Sequence, residues 1–141
     1  MMAWNDSIKD PEKEKLQLEK LIKENPDDAE AHYKLAEVYG NMNDNDKAIE
    51  CCEKAISLNP YNSLYFAFFF FLNHNFNQQK AFDALVEFIE LVPDEGDCYT
   101  ERVIDELGCV DSKFALEYIA KLRTQDKEYV AHTIERWIWN P

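Results

Sequence analysis

Three histidines, four cysteines and 28 carboxylates are the side chains with which this chain of 141 residues could do chemistry. His32, His74 and His132 stand 42 and 58 residues apart, so no pair falls at the i, i+4 spacing that turns two imidazoles toward one metal ion. Cys51 and Cys52 are adjacent, and neighbours on a helix point about 100° apart, which disfavours a bridge between them. Cys98 and Cys109 offer no paired Cys-x-x-Cys spacing for zinc, so all four thiols are expected to stay reduced and to pack as small hydrophobes. Gly40, Gly96 and Gly108 are isolated and form no phosphate loop, and no serine sits in a Gly-x-Ser-x-Gly turn. Residues 41–46 alternate oxygen-bearing side chains like a calcium loop. The sixth place is Asp46 instead of glycine and the closing place is Cys52 instead of glutamate, so this segment reads as an inter-helix turn. No metal, no cofactor and no catalytic constellation is expected.

The carboxylates carry more information. The formal net charge is −13, which disfavours a phosphate backbone or an anionic membrane face as a partner and favours a cationic one. From Asp83 to Asp111 ten acids face only Arg102, so this segment holds −9 of that total. Asp83, Glu87 and Glu90 fall at i, i+4, i+7, and Asp97, Glu101 and Asp105 at i, i+4, i+8, so each set forms one helical stripe. Like charges so placed repel by a few tenths of a kcal/mol per pair, about 0.2–0.5. Two readings stand side by side: a solvated face that keeps the protein soluble, and a docking patch for a basic partner.

The elements that position these residues follow from composition and spacing. The length fits one domain, 1–141, and 46% hydrophobic residues with only 3 Gly and 5 Pro argue for a packed core. The longest apolar run, 64–72, is nine residues, under half of a membrane span. Residues 1–6 lack the basic start and apolar run of a signal peptide, so a cytoplasmic location is expected.

Helical phrases open at Ala48, Ala81 and Ala115, which are 33 and 34 residues apart, while Pro26, Pro60 and Pro93 keep the same beat at 34 and 33. A period near 34 signals stacked helix–turn–helix units, none of which can bury its apolar face alone. The divisions are a leading helix at 11–25, a first unit at 27–60, a second at 61–93, a degenerate third at 94–124 and a capping helix at 126–140. Asp10-Pro11-Glu12 starts the first helix, with a capping carboxylate and proline in the first turn. Gly40 to Asn45 turns the chain within the first unit, and 73–79 turns it, one residue shorter, within the second.

Leu35, Tyr39, Ala48, Ala55 and Pro60 match the tetratricopeptide repeat pattern literally. Ala36 stands at the small glycine position, while His32 and Cys52 replace the two large aromatics. The chain therefore resembles the tetratricopeptide repeat family, firmly at 27–60 and progressively less so over the later units. The resemblance implies an all-α, right-handed superhelical array of antiparallel helix pairs, about seven or eight helices with the end cap.

It also implies a concave binding surface on one edge of each unit's first helix. Here that edge is Glu30, Tyr33, Glu37 and Asn41, then Leu64, Ala67, Phe71 and His74. Some relatives grip acidic tails through a clamp of lysines and asparagines on those helices, and this chain lacks that basic chemistry. Phe68 to Phe71 point all round their helix, which is expected to lie sandwiched between neighbours. The expected function is a non-enzymatic protein-binding module that takes a peptide, helix or basic protein surface. The alternative is an acidic inhibitor, such as an immunity protein, that neutralises a cationic toxin or nuclease.

Overall fold

A computed structural model describes residues 7–91 and 98–139, which form eight α-helices and no strand among the described residues. They are α1 (Pro11–Glu24), α2 (Ala29–Asn41), α3 (Asn45–Leu58), α4 (Ser63–Asn73), α5 (Gln78–Leu91), α6 (Cys98–Leu107), α7 (Ser112–Thr124) and α8 (Glu128–Trp139).

Four of the acids start helices. The side chains of Asp10, Asp28, Asp44 and Asp111 accept from the backbone N–H of Lys13, Ala31, Lys47 and Lys113 at 3.3, 3.1, 3.4 and 3.0 Å. Asn62 does the same for Leu64 at 3.0 Å. Each such cap satisfies a donor the helix cannot, a contribution of about 1 kcal/mol.

The expected turn at 40–45 shifts. Gly40 lies inside α2, and Asn43 takes the left-handed conformation with φ 61°. An added Cβ at position 40 would stand 3.4 Å from Phe68 Cζ, an ordinary van der Waals contact, so neither the turn nor the packing demands glycine there. The calcium-like segment is consumed by helix ends, since Asn41 closes α2 while Asn45 and Asp46 open α3. The second unit is shortened in its helix and not in its turn. Helix α4 has 11 residues against 13 in α2, while the connection 74–77 is one residue longer than 42–44.

Neighbouring helices pack as α1 on α2, α2 on α3, α3 on α4 and α4 on α5. Ala36, Ala48, Cys52 and Ala55 are fully buried where α2 and α3 meet α4, and Ala81 and Ala115 are fully buried in the later crossings. Small side chains there let helix backbones approach closely. Helix α4 is buried on every side, with Tyr65 to Phe70 all buried.

After α5 the pairing changes. Helix α6 lies across α4 and α8, and α7 packs with α8. The last unit is thus completed by the end helix. Phe82 of α5 meets Phe114 and Tyr118 of α7 edge to face, with centroids at 5.3 and 5.1 Å. Cys109 departs from the expectation for the thiols: it is exposed in the connection between α6 and α7, whereas Cys52 is buried and Cys51 half-buried. The side chain of Cys98 lies outside the described residues.

Candidate partner-binding surfaces

The inner edge is built from α2 and α4, and most of it is already occupied by the protein itself. Tyr33 and Tyr65 stack at 4.9 Å, and Phe68 meets Tyr33 edge-on at 5.6 Å. Tyr33 donates its hydroxyl to Glu37 at 3.0 Å, and Tyr65 donates to Glu30 at 3.1 Å. Burial, and then the Glu30 carboxylate beside it, push the Tyr65 phenol up to about 12. Tyr33, Glu37, Ala67 and His74 are buried, so these four are not offered to a partner, contrary to the expectation of an open groove. Asn41, Leu64 and Phe71 are half-buried, and Glu30 is exposed.

Two neighbours cover that edge. The segment before α1 reaches it: a cleft of about 240 Å³ is lined by Ser7, Ile8, Leu18, Lys34 and Glu37. At the other end α6 crosses α4. The Arg102 guanidinium sits 5.6 Å from the centre of the Phe71 ring, and His74 Nε2 lies 2.9 Å from Glu106 Oε2. His74 Nδ1 is 2.7 Å from the Phe71 carbonyl oxygen, which can only accept, so Nδ1 carries a proton. A degenerate repeat thereby seals what the regular pattern leaves open.

The acidic stripes divide into structural and free members. Asp83 accepts from Tyr118 at 2.6 Å and from Gln79 at 3.1 Å, and burial followed by the Asp83 hydrogen bond pushes the Tyr118 phenol well up. Glu90 accepts from Lys127 at 2.6 Å, which raises the Lys127 ammonium. These two contacts tie α7 and the start of α8 to α5. Glu87, Glu101 and Asp105 are exposed and make no ion pair among the described residues. Asp97 lies outside the described residues.

Sequence reasoning missed Tyr118, Lys127, Arg102 and Glu106 as the partners of these side chains. One signal was available. Tyr65 stands 35 residues after Glu30 and Tyr118 stands 35 after Asp83, one repeat length plus one in both cases. No cluster of three or more His, Cys, Asp or Glu side chains among the described residues could hold a metal ion, and no described helix is long and apolar enough to cross a membrane.

Residues 29–62 match the tetratricopeptide repeat, the same 34-residue span that holds α2, α3 and the connection to α4. A search of curated proteins finds no match.

Proposed function

We infer that this chain, whose residues 29–62 match the tetratricopeptide repeat, is a protein-interaction module whose partner is a protein carrying a basic surface or segment. The observation that carries this reading is the set Glu87, Glu101 and Asp105, exposed and unpaired on two successive helices of a protein whose net charge is −13. A face like this raises the local concentration of a cationic partner and speeds encounter more than it deepens affinity. Asp83 and Glu90, on the same stripe as Glu87, are tied to Tyr118 and Lys127, whereas these three carry no such tie.

The mechanism is recognition by a preformed scaffold. Helix α4 is packed on all sides and the alanine crossings are closed, so binding orders little of the protein. The accessible part of the inner edge, Glu30, Asn41, Leu64 and Phe71, supplies a second, smaller contact beside the acidic face.

Capture from a native lysate with immobilised wild type and with the triple variant Glu87→Lys, Glu101→Lys, Asp105→Lys tests this. Basic proteins, with isoelectric points above about 9, should be retained by the wild type, released by salt and lost on the variant. Equal retention by both proteins would contradict a basic partner.

A further inference from the structure

Two clefts open on the other side of α3, away from the covered inner edge. One, of about 600 Å³, lies between α1 and α3 over an apolar floor that includes Ile22 and Leu35, with Glu19 and Glu50 on its rim. The second, of about 420 Å³, lies between α3 and α5 over Ile56, Phe66, Phe69 and Ala84, with Asp83 and Glu87 on its rim. Glu53 and Ser57 line both, so the two clefts meet across the exposed ridge of α3.

The chemistry of the two is the same. Each pairs an apolar floor with a carboxylate rim, and the carboxylates Glu19, Glu50, Glu53, Asp83 and Glu87 outnumber the ammonium groups Lys54 and Lys80. Lys80 reaches Glu53 only at 3.9 Å with both side chains half exposed, a pair that a tighter cation can displace. In the second cleft the floor includes Phe66 and Phe69, already 8% and 9% accessible, so an inserted side chain gains apolar contact without unpacking α4. A helix diameter of about 10 Å separates the two floors.

The geometry points to this paired cleft as the docking site for a cationic amphipathic segment of a partner protein, with an apolar side chain in each cleft and lysine or arginine between them on Glu53. The inference rests on the basic-partner reading above and places its contact surface on the outer face. Glu101 and Asp105, on α6, would then steer the segment without touching it.

The probe is a labelled peptide of alternating lysine and leucine, with its lysine–serine counterpart as control, added to the full chain at low salt. Amide resonances of Glu53, Ser57 and Ala84 should shift with the leucine peptide and not with the serine one. Ser57→Trp, at an exposed position where the clefts meet, obstructs both without touching the core and should raise the dissociation rate about tenfold. Glu53→Lys should do the same. Glu101→Lys with Asp105→Lys should slow association and leave dissociation unchanged. Binding unaffected by Ser57→Trp and Glu53→Lys, or equal for both peptides, overturns the cleft site while leaving a basic partner intact. No saturable, salt-sensitive binding of either peptide overturns both. The same resonances shifting with protein concentration alone would assign the clefts to a second copy of the chain, and overturn it too.

Discussion

Tyr118 donates its hydroxyl to Asp83 at 2.6 Å, fastening α7 to α5 through a carboxylate that otherwise stands in solvent. The earlier pair, Tyr65 to Glu30 at 3.1 Å, repeats the device 53 residues upstream, between α4 and α2. In both cases a tyrosine reaches back 35 residues to an acid on an earlier helix. Hydrogen bonds to a charged acceptor contribute about 1.5–3 kcal/mol when dry and less where the carboxylate keeps its water. Tyr118→Phe should therefore destabilise the protein by about 1–2 kcal/mol in chemical denaturation, with loss of protection from hydrogen exchange greatest in α7 and α8. An unchanged midpoint would remove this contact from the account of how the last helices are held.

The phenols also fix how stability varies at high pH. An unfolded tyrosine releases its proton near 10.0, whereas folded Tyr65 holds it to about 12. Between those values the unfolded chain binds fewer protons, so the stabilisation is complete below pH 10 and is lost as pH rises toward 12. Tyr118, whose phenol is raised the same way, adds to the loss. The wild type should lose stability steeply over this window, and Tyr65→Phe with Tyr118→Phe should show a shallower slope. Denaturant midpoints measured across the window check it; equal slopes would contradict it.

His74 joins α4 to α6 through Glu106 at 2.9 Å while its other nitrogen faces the Phe71 carbonyl at 2.7 Å. His74→Phe keeps a ring of similar size among Phe70 and Phe71 but removes both polar contacts. Because Glu106 is partly exposed, it can regain water, and the loss should be about 1–2 kcal/mol. Amide exchange in α6 should accelerate more than in α2 or α3. Uniform acceleration along the chain would mean that the pair supports the whole fold instead of fastening one helix.

The thiols should separate by site under alkylation near neutral pH. Burial first, and Glu50 after it, push the Cys51 thiol up to about 11, and burial pushes Cys52 further in the same direction. Only the thiolate reacts, so both should resist while exposed Cys109 is labelled quickly. Mass spectrometry of peptides reads this directly, and rapid labelling of Cys52 would contradict the packing around α3.

The first unit was legible almost residue by residue, because its signal is local. Asp28, Asp44, the alanines at 36, 48 and 55 and Pro60 each act within one helix or one crossing. The phenylalanine run likewise announced a helix buried on all sides. What the sequence did not show is which face stays open. Glu30, Tyr33, Ala67 and His74 have the spacing of a groove, but their exposure depends on α6 crossing α4 and on the segment at Ser7 and Ile8, both long-range contacts without a period. Asp83, Glu87 and Glu90 do share the exposed side of α5, while the stripe through Asp97 runs outside the described residues. Their division into tied members, Asp83 and Glu90, and free ones depends on Tyr118 and Lys127, which arrive from beyond the recognisable repeats.

The central claim is that a basic protein segment binds through the exposed carboxylates, and its association rate tests that claim most directly. Wild type and the triple reversal of Glu87, Glu101 and Asp105 to lysine are mixed with the lysine–leucine peptide by stopped flow, at ionic strengths from about 0.05 to 0.5 M. Surface reversals of this kind should change stability by less than about 0.5 kcal/mol, so both proteins enter the measurement folded. The account predicts fast wild-type association that slows steeply with salt, and a variant that is slower and less sensitive to salt, the two converging at the highest ionic strength. A variant that associates at low salt as fast as the wild type would contradict it.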